Sequence, residues 1–297
     1  MKNNKTFLRH IFVRGYRSDG TWVKDIDPIQ RLEPFLFRTR NEASVYFKEK
    51  IDITHTMEYI KRRNMNKEVE KISLFHILIA AMVRTAAMKP KLNRFIARKR
   101  TYQRNKMYIS YLVKQKMTEE AKAIVVKNSF DSSDTIDTIA SRVRTSIECA
   151  RTKSIAESEN LVKTFSKMPG WVISFVISVL RCLDFFGLMP EKMIKADPFY
   201  ASAFLANLGS LGINAPYHHL YEWGTVSLFV AMGMYYDEMS YTAAGNEKRK
   251  TFVDITFTVD ERIADGFYLA KALQTFTHFM KNPEELEHRM EGETPID

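Results

Sequence analysis

Between Val253 and Asp260 the chain alternates without a break: Val253, Ile255, Phe257 and Val259 are apolar, and Asp254, Thr256, Thr258 and Asp260 are polar. A period of two marks a strand that buries one face. The pattern then gives way to Glu261, Asp265 and Gly266, followed by the helix-like run GFYLAKALQTFTHFM. Such a strand needs a partner layer, so the remaining question is what the rest of the chain can lay against it.

Helical and strand patterns are interleaved along the sequence. SVYFKEKIDI (44 to 53) reads as a strand, and THTMEYIKRRN reads as a helix with Thr54 as its N-cap. In SLFHILIAAMVRTAAM, Leu74, Ile77, Leu78, Ala81 and Met82 recur at helical spacing until Pro90 stops them. Strands and turns are expected from Phe95 to Val126. A helix follows with Ile136, Ile139, Val143 and Ile147 on one face, and three further strands lie in YASAFLANLG, TVSLFVAMGMYY and KTFVDITFTV. This order predicts an α/β fold. Residues 1 to about 40 are basic and punctuated by Gly15, Gly20, Pro28 and Pro34, so an irregular arm is expected there.

A chain of 297 residues, 45% hydrophobic and 27% charged, can bury a sizeable core. Its N-terminus lacks the apolar run of a secretory signal, and two cysteines make no disulfide framework, so a cytoplasmic location is expected. The most apolar stretch, residues 171 to 189, is interrupted by Arg181 and Asp184 and reads as a buried or interfacial helix, with a membrane-surface role as the alternative.

The net charge of +10 is concentrated: no acid occurs from Lys71 to Thr118, while Arg94, Arg98, Lys99, Arg100, Arg104 and Lys106 crowd one segment. No helix-turn-helix, zinc-ligand spacing or RNA-binding aromatic motif accompanies them, so no nucleic-acid partner is expected. A solvated basic face and a dock for an acidic partner or nucleotide-bearing cofactor both remain open. No nucleophile elbow, phosphate loop or dinucleotide fingerprint is present.

The succession strand, D-x-R-x-x-D-G, amphipathic helix, N-P-E-x-L at 260 to 286 resembles the catalytic domain of the dihydrolipoamide acyltransferases of 2-oxo-acid dehydrogenase complexes, and more distantly chloramphenicol acetyltransferase. Pro90, Lys91, Leu92 and Asn93 match the family's P-x-L-N helix end, and FLANLGSLGI is similar to the strand that carries its S-N-L-G. The resemblance spans roughly residues 44 to 290. It implies a two-layer chloramphenicol acetyltransferase-like sandwich with a mixed sheet and helices, preceded by a basic arm (1–43) and carrying a helical insertion at about 155–198. It further implies a homotrimer with active sites between subunits, and coenzyme A, acyl-CoA or an acidic acyl carrier as partner. No lipoyl-like domain or Ala/Pro-rich linker is seen, so a free-standing trimer is expected.

In that family a histidine is the base and a serine hydroxyl holds the oxyanion. The matching positions here are Glu261 and Ala206, whereas Asn207, Gly209, Asp265 and Gly266 keep the pattern, with the Asp tying down the active-site loop. The resemblance therefore implies a protein that has lost the standard machinery and acts as a binding or scaffolding homologue. The rival is an active enzyme using Glu261, its carboxyl raised by Asp260 and Asp265, or a histidine of the 218–219 pair. Cofactor contacts would fall to Asn207, Arg94, Arg98, Lys99 and Arg100. His76 reads as a core histidine, and no metal site is expected: acids at a strand-to-helix corner commonly cap the helix.

Overall fold

The computed structural model describes residues 17–66, 68–114, 123–152, 167–241 and 247–290. Its strands are β1 (Gly20–Trp22), β2 (Ser44–Asp52), β3 (Arg94–Ala97), β4 (Arg100–Arg104), β5 (Met107–Lys114), β6 (Ala123–Phe130), β7 (Ala203–Asn207), β8 (Leu228–Tyr241) and β9 (Glu247–Asp260). The helices are α1 (Pro28–Leu36), α2 (Thr54–Met65), α3 (Leu74–Met88), α4 (Ile136–Thr152), α5 (Gly170–Phe185), α6 (Glu191–Ala196) and α7 (Gly266–Lys281).

Six strands form one sheet in the order β2-β9-β8-β7-β5-β6, and a small sheet β1-β4-β3 stands beside it. The large sheet is mixed: β7 runs parallel to both β5 and β8, and the other neighbours are antiparallel. The alternation along β9 sorts the two faces. Val253, Ile255, Phe257 and Val259 enter a core with residues of α2, α3, α4 and α7, and the Phe257 ring meets Phe276 edge-on at 5.2 Å. Asp254, Thr256, Thr258 and Asp260 point to the opposite face, yet all four are buried there. That face is roofed by the loop between β7 and β8, and Ala201, Phe204, Leu220, Val226, Phe229 and Ala231 form a second core beneath it.

The arm departs from the sequence-based expectation, and the apolar stretch at 171 meets only its helical part. The arm is not irregular where described: Asp27 caps α1 by accepting from the Ile29 N–H, and Pro28 fits the first turn, where no N–H is needed. The apolar stretch beginning at Trp171 does form a helix, but no residue of α5 is buried. His76, expected in the core, is partly buried and also completes a capping box, its Nδ1 accepting the Ser73 N–H at 3.1 Å.

Candidate functional site

The corner after β9 is fastened on several sides. Asp260 has no exposed surface, and both its carboxylate oxygens accept from Arg262, from Nε and Nη2, at 2.7 Å each. A turn of 3-10 helix at Glu261–Ile263 makes this possible, because it folds the guanidinium back over a residue only two positions away. Arg262 also donates to the Phe37 carbonyl at 2.8 Å, which ties the arm to the corner. Asp265 caps α7, accepting from the Tyr268 N–H at 2.9 Å. Neither Asp260 nor Asp265 is a spare acid: one is half of an ion pair and the other satisfies a helix end.

Glu261 donates its backbone N–H to the Ala43 carbonyl, and its half-exposed side chain makes no hydrogen bond among the described residues. The carboxyl that interacts with it comes from the arm. Burial, then repulsion from Glu261 and Asp260, pushes the Glu33 carboxyl above its ordinary pKa, and Glu33 Oε2 is buried without a hydrogen-bond partner. No motif marks Glu33 in the sequence; only the packing of α1 on the corner brings it there.

Two strands away in the sheet, Ala206 of β7 lies opposite Ala231 in the parallel β7–β8 ladder and packs against the second core. Its side chain offers no donor. Asn207 is used locally: its Oδ1 accepts from the Ser210 N–H, and its carbonyl accepts the Ser210 hydroxyl at 2.8 Å. A Cβ on Gly209 would stand 2.5 Å from the Gly233 carbonyl oxygen, so the turn after β7 packs backbone to backbone against the irregularity within β8 and leaves no room for a side chain.

His218 and His219 lie in the loop that crosses the buried polar face of the sheet. Thr256 and Thr258 of β9 donate their hydroxyls to the carbonyls of Pro216 and His218, at 2.6 and 2.5 Å. The His218 ring stacks on Phe229 at 4.0 Å, and the two imidazoles stack on each other at 4.6 Å. Nδ1 of each contacts a backbone carbonyl, His219 at 2.7 Å and Leu220 at 2.9 Å. A carbonyl only accepts, so each Nδ1 is the donor, and neither Nε2 has a hydrogen-bond partner among the described residues.

The basic stretch is largely engaged in structure. Arg94 donates to the Gln103 side chain, Arg100 lies 4.2 Å over the Trp22 ring, and buried Arg104 donates to Ala201 and Thr225. Arg98 and Lys99 form the β3–β4 turn in the left-handed region, with φ of 53° and 55°. Arg98 donates to the Phe186 carbonyl, and the Lys99 ammonium sits 5.0 Å from the Phe35 ring on α1. A large open groove of about 660 Å³ lies elsewhere, between β2 and α7, bordered by Phe47, Glu49, Gln274, His278 and Lys281. Among the described residues no three His, Cys, Asp or Glu side chains are grouped to hold a metal ion.

No family model matches the chain, and no curated protein matches it in sequence. Solved structures do match. The cubic core of the pyruvate dehydrogenase multienzyme complex superposes with a TM-score of 0.58 at 12% identity, over 90% of this chain and 94% of that one. A dihydrolipoamide acetyltransferase of Azotobacter vinelandii gives 0.57 at 13% identity, again over 90% and 94%. A chloramphenicol acetyltransferase gives 0.52 at 14% identity, over 87% of this chain and all of that one. The architecture built above, a mixed sheet with helices on one face and a roofing loop on the other, is thus the chloramphenicol acetyltransferase-like fold shared with 2-oxoacid dehydrogenase acyltransferase cores.

Proposed function

We propose that this chain is a binding or scaffolding homologue built on the acyltransferase fold, which takes coenzyme A, acyl-CoA or an acyl carrier without turning it over, and that it works as a homotrimer. The observation that carries this reading is the chemistry at the two key positions. Glu261, at the corner, faces the carboxyl of Glu33, and Ala206 presents a methyl group to its surroundings. The Azotobacter protein's catalytic mechanism involves a serine, a histidine and an asparagine, the last two four residues apart, as Glu261 and Asp265 are here. A free glutamate titrates about two units below a histidine, which makes it a poor base near neutrality. The loss of one oxyanion donor typically costs about 100- to 1000-fold in rate. The cubic assembly of one structural neighbour supports a multi-copy state.

A second reading has one observation in its favour. The hydrogen bonds of His218 and His219 engage Nδ1 of each ring and leave Nε2 without a partner among the described residues, which is the atom a general base would use. The two readings separate when the purified full chain is incubated with acetyl-, succinyl- and long-chain acyl-CoA and a thiol reagent, with CoA binding followed in parallel by calorimetry. Binding without thioester turnover is expected. Turnover lost in Glu261→Gln would instead identify a carboxylate base, and turnover that survives that change but is lost in His218→Asn would identify the loop.

A further inference from the structure

Helix α1 is inside out. Ile29, Leu32 and Leu36 recur at helical spacing, with Phe35 beside them, and they are 71%, 58%, 70% and 54% exposed, while Pro34 is buried and Glu33 turns toward the corner. Helix α5 repeats the anomaly on a larger scale. Its first eleven residues, GWVISFVISVL, carry no charge, and Trp171, Phe175, Val179 and Phe185 form an outward stripe, with Trp171 76% exposed. A helix that is apolar all round belongs in a core or a membrane, and a patch of this kind marks a surface that something covers. No helix of the described chain is long and apolar enough to cross a bilayer.

The C-terminal ends of both helices meet one cationic turn. Lys99 stacks on Phe35 of α1, and Arg98 beside it holds the Phe186 carbonyl at the end of α5. Lys24, Arg31, Arg38, Lys99 and Arg181 are exposed on these segments and their flanks, against exposed Asp25 and Asp27, so cations are in excess. We propose that α1, α5 and the Arg98–Lys99 turn form a docking face for an anionic lipid surface. The stripes of both helices enter the boundary between headgroups and acyl chains, and the exposed cations meet the headgroup phosphates. Aromatic residues with a tryptophan at the helix start suit that boundary. Charge decides between lipid and a second copy: pairing this face with itself across a two-fold axis would set the two cationic turns against each other, whereas anionic headgroups neutralise them.

The test is co-sedimentation of the full chain with vesicles of phosphatidylcholine alone or with about one third phosphatidylserine, together with light scattering of the lipid-free protein. The wild type should pellet with the anionic vesicles. Trp171→Ser/Phe175→Ser and Lys99→Glu/Arg181→Glu should each weaken partitioning by roughly tenfold or more while the lipid-free mass is unchanged. Leu32→Ser/Leu36→Ser gives an independent check on α1. Failure of the wild type to pellet, or pelleting indifferent to these substitutions, would overturn the proposal. So would a change in lipid-free oligomeric mass in the α1 or α5 variants, because the face would then belong to another copy of the chain. None of these outcomes depends on whether the site at Glu261 turns over substrate.

Discussion

Arg262 grips both oxygens of Asp260 from two residues away, in a pair that leaves 4% and none of the two side chains exposed. Breaking a buried pair by removing one partner strands a charge, so Arg262→Met is expected to cost about 3 kcal/mol or more. The loss should be smaller than a lone carboxylate would suffer, because Arg40, fully buried nearby, also acts on Asp260. The double variant Asp260→Asn/Arg262→Met should recover part of the loss, and urea denaturation of the wild type, both single variants and the double measures the coupling.

Glu33 predicts the opposite sign. Burial and the neighbouring carboxylates raise its pKa, so folding favours its protonated form. The benefit of that form is present below the unfolded value and is lost as the pH rises through the folded one, which leaves a net penalty at neutrality. Glu33→Gln should therefore raise the melting temperature at pH 7. The gain should stay below about 1 kcal/mol, because the group is only partly buried and solvent screens it. The same variant should flatten the decline in stability between mildly acid and neutral pH.

His76 gives a clean pH dependence. Burial, with help from Arg144, pulls its pKa down to about 4 from the ordinary 6.5. Between those values the unfolded chain binds a proton that the folded chain refuses, so stability should fall as the pH drops from about 6.5 toward 4. Gln at the same position can accept the Ser73 N–H in the capping box, so His76→Gln should keep the helix and remove this slope. Thermal melts at half-unit pH steps would show it; an unchanged slope would mean that His76 is not the titrating group.

Gly209→Ala tests the close approach of the turn after β7 to the middle of β8. Its Cβ would meet the Gly233 carbonyl oxygen at 2.5 Å and the Met234 Cα at 3.0 Å, both backbone atoms with little room to move. A destabilisation of about 1–3 kcal/mol is expected from overpacking of this kind, read as a fall in the denaturation midpoint.

Much of this was visible in the sequence. The alternation along β9 and the helical spacing of Leu74, Ile77 and Leu78 report burial directly, and the structure places those residues in the core. The acids at the corner were legible as to type but only partly as to role. Asp265 caps its helix, as a strand-to-helix corner suggests, while Asp260 turned out to be paired with its own neighbour-but-one. The helix at α1 is hidden because Pro28 and Pro34 read as breaks although Pro28 sits in the first turn, and at α5 the helix is legible but not what covers its apolar face. Glu33 escaped notice because its proximity to Glu261 is set by tertiary packing across more than two hundred residues, which leaves no local trace.

The ladder that joins Ser44 to Asp260 pairs residues two hundred or more positions apart. Contacts this distant in sequence are slow to form, because loop closure must be met before any pairing rewards it. On the ribosome, the central hydrophobic layer cannot close until β9 and the helix after it have emerged, so the nascent protein must wait with its sheet open at one side. A chain cut short before Glu247 would lose both the partner of β2 and the lid of the core, and chaperone dependence during synthesis is the natural outcome of that wiring.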